Sequence, residues 1–201
     1  MVILAAGLSE RMGAFKPLLP VGSSPAILRD IKTAVAAGVG DIIIVTGHSR
    51  IELERVLSAN APGVRTVFNR RFEEGMLSSV RAGVSALSAD CAAFFLLPAD
   101  CCAVSVETLK LLVGEIERDE TNSVIYPVHK GVRGHPPLIP AQYADRILAD
   151  SSIDGLRSIL APLPSIELET FDPGVLLDMD TPEDYAHILA YFGLPNYQSS
   201  G

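Results

Sequence analysis

Short apolar runs punctuate the chain at intervals and constrain its architecture more than any other feature: VILA (residues 2–5), DIIIVT (41–46), VRTVF (64–68), AAFFLL (92–97), SVIYPV (123–128), IELETF (166–171) and VLLD (175–178). Several lack the polar alternation of a half-exposed strand, so they predict strands buried on both faces. Segments of helical spacing separate them. Over residues 25–37, Ile27, Leu28, Ile31, Ala34 and Val35 share one face, Pro25 suits the first helical position and Gly38 ends the pattern. Residues 51–59, 76–88, 105–118, 141–149 and 182–192 read in the same way. Strand then helix, repeated, predicts an α/β three-layer sandwich around a mostly parallel, Rossmann-like sheet.

With 201 residues, 48% of them hydrophobic, the chain suits one continuous core, here assigned to residues 1–193, with a tail of linker composition at 194–201. That tail leaves open a further C-terminal domain. Residues 126–140 stand apart: HKGVRGHPPLIP is rich in Gly, Pro and basic side chains, and is expected to form a loop or arm rather than a central strand. A net charge of −8 argues against broad contact with a nucleic-acid backbone or an anionic membrane, so any anionic ligand needs a local cluster of positive groups. No apolar run approaches the ~20 residues of a membrane span. The three cysteines, Cys91, Cys101 and Cys102, show neither paired number nor metal-site spacing, which fits a reducing, cytoplasmic setting.

The most informative stretch for chemistry is LAAGLSERMGAFKPLLP, residues 4–20. It runs from a buried strand into a loop of small residues flanked by fixed positive charge, at the sheet edge where open α/β folds bind ligands. A triphosphate needs backbone N–H groups that can approach its oxygens, which Ala5, Ala6 and Gly7 offer, and cations to offset its charge, which Arg11 and Lys16 offer. There is no GxxxxGK[ST], and the Gly7 to Gly13 interval does not match GxGxxG, so P-loop and dinucleotide readings lose their support.

This stretch resembles the LAAGxSxRMGxxKxLLP signature of MobA-like nucleotidyltransferases and, within them, of molybdenum cofactor cytidylyltransferases. Further matches follow in order: VTGH (45–48), Asn69 with GMLSSVRAG (75–83), LPAD (97–100), RGHPP (133–137), DGLR (154–157) and DMDTPEDY (178–185). The resemblance implies a nucleotide-diphospho-sugar transferase type of fold, with Leu4, Ala5, Ala6, Gly7, Arg11, Lys16, Asn69, Gly75, Ser78 and Ser79 around a nucleoside triphosphate. On residue chemistry alone Ser78 and Ser79 fit phosphate binding and simple N-capping equally well.

Asp100 follows the run AAFFLL, and Asp178 and Asp180 end or follow VLLD. If these runs are neighbouring parallel strands, their ends bring carboxylates to the first loop, a donor set suited to Mg²⁺. The resemblance assigns ligation to Asp100 and Asp180 and leaves Asp178 as a neighbour. It also departs here, because the chain reads ADCCAVS where the family usually carries a proline. RGHPP, with Arg133, Gly134 and His135, is the candidate acceptor site. His48 is at most site-lining, and His129 and His187 carry no functional reading.

The implied reaction is attack by an acceptor phosphate on the α-phosphorus of the triphosphate, with Arg11, Lys16 and Asp100 as its catalytic residues and pyrophosphate as product. An anionic acceptor needs no Ser/His/Asp constellation; positioning and charge neutralisation suffice. LAAG in place of LAGG points to CTP, and the family points to molybdopterin as acceptor, with a molybdoenzyme as a further partner. A sugar or alditol phosphate as acceptor, or a non-catalytic nucleotide-binding regulatory role, remain the alternatives.

Overall fold

A computed structural model describes residues 1–150 and 155–196. Its strands are β1 (Val2–Ala5), β2 (Pro20–Val21), β3 (Ser24–Pro25), β4 (Ile43–Thr46), β5 (Arg65–Phe68), β6 (Ala93–Pro98), β7 (Val124–His129), β8 (Val132–Arg133), β9 (Leu138–Pro140) and β10 (Ser165–Glu169). The helices are α1 (Ala26–Ala36), α2 (Arg50–Asn60), α3 (Met76–Val84), α4 (Val106–Ile116), α5 (Ala144–Ala149), α6 (Gly155–Leu160) and α7 (Pro182–Tyr191). The main sheet runs β10-β7-β9-β6-β1-β4-β5, with β8 paired to β7. All the pairings within β6-β1-β4-β5 are parallel, as is β10 with β7, whereas β9 lies antiparallel between β6 and β7. Among the described residues no helix is long and apolar enough to cross a membrane.

The uninterrupted apolar runs are explained by two buried faces. Ile3, Ile44, Phe95 and Leu97 pack with Ile27, Leu28 and Ile31 of α1, Leu53 and Leu57 of α2, and Leu109 and Leu112 of α4. Their neighbours Val2, Ile43, Val45, Phe94 and Leu96 pack on the other side with Val80 and Val84 of α3, Ile147 of α5 and Ile159 of α6. Because side chains alternate along a strand, each run must be apolar at every position to serve both layers. On the second face α3 lies close to the sheet, since a Cβ at Gly83 would overlap Val2 and Val45 side chains. A third cluster joins α7 to the β2–β3 hairpin through Leu19, Val21, Met179, Tyr185, Ile188 and Leu189.

Three expectations change. Residues 126–140 are not a free arm: β7 continues to His129, β8 turns back on it, and β9 enters the sheet, with Leu138, Ile139 and Pro140 all buried. The VLLD run is not a strand. Asp172 caps a 3-10 turn over Pro173–Leu176 by accepting from Gly174 N at 2.9 Å. Pro25 is the N-cap of α1 rather than its first residue. The helical spacing of 182–192 is realised in α7, whose start is fixed by a reciprocal capping box between Thr181 and Asp184. Asp154 of DGLR and residues 197–201 of the expected tail lie outside the described residues.

Candidate active site

At the C-terminal ends of β1 and β6 lies a cleft of about 330 Å³. One wall is the first loop, Leu4 to Ser9 with Lys16 and Pro17; the others are Pro98 to Asp100 and the stretch carrying Phe72, Glu73, Gly75, Met76 and Ser79. Within the loop Ser9 takes a left-handed φ of 55°, its carbonyl accepts from Met12 N at 3.1 Å, and its Oγ accepts from Lys16 N at 3.2 Å. These bonds fix the backbone of Lys16 and leave its side chain to reach across the cleft.

Lys16 draws two distant segments together. Its Nζ donates to Asp100 Oδ2 at 3.0 Å and to Asp180 Oδ1 at 2.6 Å, while Arg11 donates to Asp180 Oδ2 at 2.8 Å. Burial alone would lower the Lys16 pKa, but the bonds to Asp180 and Asp100 outweigh it and hold it above its ordinary value. The Lys16 bond is also the main reason the Asp180 carboxyl titrates below the usual range. Asp178 responds oppositely, raised by burial and by the charges of Asp180 and Asp100. Met179, fully buried between Asp178 and Asp180, pins the segment so that Asp180 reaches Lys16.

Asp100 follows β6 as expected, but Asp180 arrives from the irregular stretch between the 3-10 turn and α7. Among the described residues no three His, Cys, Asp or Glu side chains gather into a metal-binding group. The donor set is therefore a carboxylate pair already converging on one cation, the Lys16 ammonium, and a metal there would need its remaining oxygens from phosphate and water. Cys101 and Cys102 do not add ligands. Both are buried, and burial first, then nearby carboxylates, pushes the Cys101 thiol well up and the Cys102 thiol to about 12, so both stay protonated. They fill core space, Cys102 beside Met179 and Tyr185.

Of the residues expected around a nucleotide, Leu4, Ala5, Ala6, Gly7, Lys16, Gly75 and Ser79 line the cleft together with Asp100. Arg11 approaches through Asp180. Asn69 is buried and acts as a brace: its amide donates to Ser78 Oγ at 2.8 Å and Ser79 Oγ at 3.0 Å, and its oxygen accepts from Arg71 N at 2.9 Å. Ser78 lies in the adjoining groove with Arg71 and Arg81, tying the start of α3 to Arg71 and Gly75 carbonyls. Gly75, with φ of 97°, makes the turn into α3.

On the acceptor side Gly134 sits against the 3-10 turn, where a Cβ would overlap Val175, and His135 N donates to Val175 O at 2.8 Å. The His135 ring keeps solvent access, yet the surrounding protein lowers its pKa against the pull of Asp100 and Asp178. Arg133 is not gathered into the cleft. It donates to Glu167 Oε1 at 2.6 Å and stacks 4.5 Å over the Tyr126 ring at the sheet edge. Sequence reasoning missed Phe72, Met76 and Pro17, and also Gly47 of VTGH. A Cβ on Gly47 would overlap the Ala6 backbone, and His48 N donates to Ala6 O at 3.3 Å, so this loop buttresses the first one. The His48 side chain itself faces a separate groove with Arg50 and Phe68.

Residues 1–168 match the MobA-like NTP transferase domain family. The chain belongs to that family. The chain is 29% identical over 184 residues to the molybdenum cofactor cytidylyltransferase of Escherichia coli K12, covering 92% of each chain. It is 28% identical over 207 residues to the purine catabolism protein PucB of Bacillus subtilis, again covering 92% of each. Among solved structures, a nucleotidyl transferase from Methanothermobacter thermautotroptrophicus superposes with a TM-score of 0.79 and 27% identity, covering 95% of both chains. The fold is that of the nucleotide-diphospho-sugar transferases.

Proposed function

We propose that this MobA-like nucleotidyltransferase transfers CMP from CTP to the terminal phosphate of a molybdopterin-type acceptor, releasing pyrophosphate in an Mg²⁺-dependent reaction. The observation that carries the reading is the Lys16–Asp100–Asp180 cluster at the mouth of the cleft formed by the LAAG loop.

The triphosphate lies along the first loop, where small residues leave backbone N–H groups open to its oxygens. Ser79 and the Gly75 turn bound the nucleoside end, braced from behind by Asn69. Asp100 and Asp180 would hold Mg²⁺, whose contribution when bound is to draw negative charge from the phosphates. Lys16 and Arg11 offset the charge that gathers on the departing pyrophosphate. The acceptor phosphate is already ionised near neutral pH, so no residue has to remove a proton from it. Gly134 and His135, held against Val175, orient the acceptor, while Arg133 steadies their hairpin through Glu167 and Tyr126.

The preference for CTP rests on LAAG, where Ala6 is 3% exposed with its methyl toward Gly47. Its effect on a base therefore runs through the spacing of two loops. The similar identity to PucB favours testing acceptors broadly. Pyrophosphate release measured with each of the four nucleoside triphosphates, against molybdopterin, sugar phosphates and alditol phosphates, is expected to be highest for CTP with molybdopterin. Faster turnover of GTP would overturn the base, faster turnover of a sugar or alditol phosphate the acceptor, and nucleotide binding without release would make the chain a regulatory module.

A further inference from the structure

The place that suits a metal is filled by the protein itself. The Lys16 ammonium lies between Asp100 Oδ2 and Asp180 Oδ1, at 3.0 and 2.6 Å, and Arg11 takes the other oxygen of Asp180. The Lys16 side chain is only 12% exposed, so its repulsion of an incoming divalent ion is screened far less than that of a surface lysine. Two carboxylates supply only part of an octahedral shell, and without phosphate oxygens the rest is left to water, which holds a divalent ion less firmly than anionic oxygens do. Both obstacles are removed by one event, the arrival of a triphosphate. Its oxygens attract Lys16 away from the carboxylates and complete the ligand set. The backbone at Lys16 need not move for this, being tied to Ser9 and followed by the buried Pro17. The ammonium rides on a flexible four-carbon stem and can turn by rotamer change alone.

We propose that Lys16 gates the metal site: it occupies the Asp100–Asp180 pair in the nucleotide-free protein and releases it to the metal only as nucleotide phosphates enter. The gate rests on the assignment of Asp100 and Asp180 as metal ligands. It makes binding ordered, with metal entering together with or after the nucleotide, and it lets one lysine neutralise the empty site and then the leaving group.

Mn²⁺ binding, followed by the electron paramagnetic resonance signal of the free ion, tests this without any turnover. For nucleotide-free protein, Lys16→Met is expected to bind Mn²⁺ at least roughly ten-fold more tightly than wild type. Asp180→Asn added to Lys16→Met should abolish the gain, placing it at this pair, and circular dichroism checks that each variant is folded. Once a non-hydrolysable nucleoside triphosphate is present, wild type should bind Mn²⁺ more tightly than the same nucleotide does without protein. Equal affinity of wild type and Lys16→Met without nucleotide overturns the gate while leaving the ligand assignment standing. An excess of bound Mn²⁺ over the protein-free nucleotide mixture that survives Asp100→Asn and Asp180→Asn together overturns the ligand assignment, and the gate with it.

Discussion

Gly47 touches no expected ligand, yet its replacement should impair nucleotide use. A Cβ there would fall 2.8 Å from Ala6 Cα and 2.7 Å from Ala6 Cβ, and closer still to the Ala6 carbonyl oxygen. Ordinary contact begins near 3.4 Å, so Gly47→Ala must part the two loops by roughly half an ångström or more. Because the obstruction is backbone, no side-chain rotation relieves it. Overpacking of this kind costs about 1–3 kcal/mol. In a domain of this size that corresponds to a fall in Tm of roughly 3–10 °C. The displaced residues include the N–H groups that the proposed reaction sets against the triphosphate, and misplacement of about 1 Å can cost ~100-fold in rate. About a ten-fold loss in kcat/KM for the nucleotide is expected. Calorimetry and pyrophosphate-release kinetics measure the two effects. A variant with wild-type Tm and unchanged kcat/KM would refute the reasoning that the VTGH loop buttresses LAAG.

Gly134→Ala should act on the other substrate: overlap with Val175 displaces His135, raising the acceptor KM about ten-fold while nucleotide affinity, read by calorimetry, stays within two-fold. Asp172 is a structural test. Burial alone would raise its pKa, but bonds from Ser105 N at 2.8 Å, Thr108 Oγ1 at 2.7 Å and Gly174 N at 2.9 Å hold it below the usual range. A depressed carboxylate stabilises the fold above its unfolded pKa of about 4, and that contribution fades as pH falls through the folded value. Denaturant titrations should show Asp172→Ala destabilised by about 2–4 kcal/mol at pH 7, with a smaller deficit at pH 3. An equal deficit at both pH values would contradict this.

The parallel half of the sheet was legible because VILA, the IIIV stretch of DIIIVT and AAFFLL each serve two cores and so carry no polar position there. The helices were legible because each buries one stripe. VLLD misled because three consecutive apolar residues resemble a strand when taken alone; the preceding Asp172-Pro173-Gly174 is a turn signal that outweighs them. The prolines of residues 126–140 hid β9, whose three residues are ordered by pairing with β6 and β7, a long-range effect absent from local pattern. In the site, Lys16 and Asp100 stood out through the signature they belong to, since an Asp after a strand, taken alone, commonly serves as a turn or helix cap. Asn69 and Ser78 carried the same polar chemistry, and the sequence does not distinguish a brace behind the cleft from a group inside it. Gly47 left only a glycine after a strand, and its necessity is set by the distance to Ala6.

The central claim is that Asp100 and Asp180, gathered by Lys16, form the seat of metal-dependent nucleotidyl transfer. Asp100→Asn keeps the size of the side chain and removes its charge, so it tests that claim most directly. With CTP, Mg²⁺ and acceptor at saturation, pyrophosphate release should fall at least ~1,000-fold while circular dichroism and Tm remain close to wild type. Release within a few-fold of wild type in a folded Asp100→Asn protein would contradict the account.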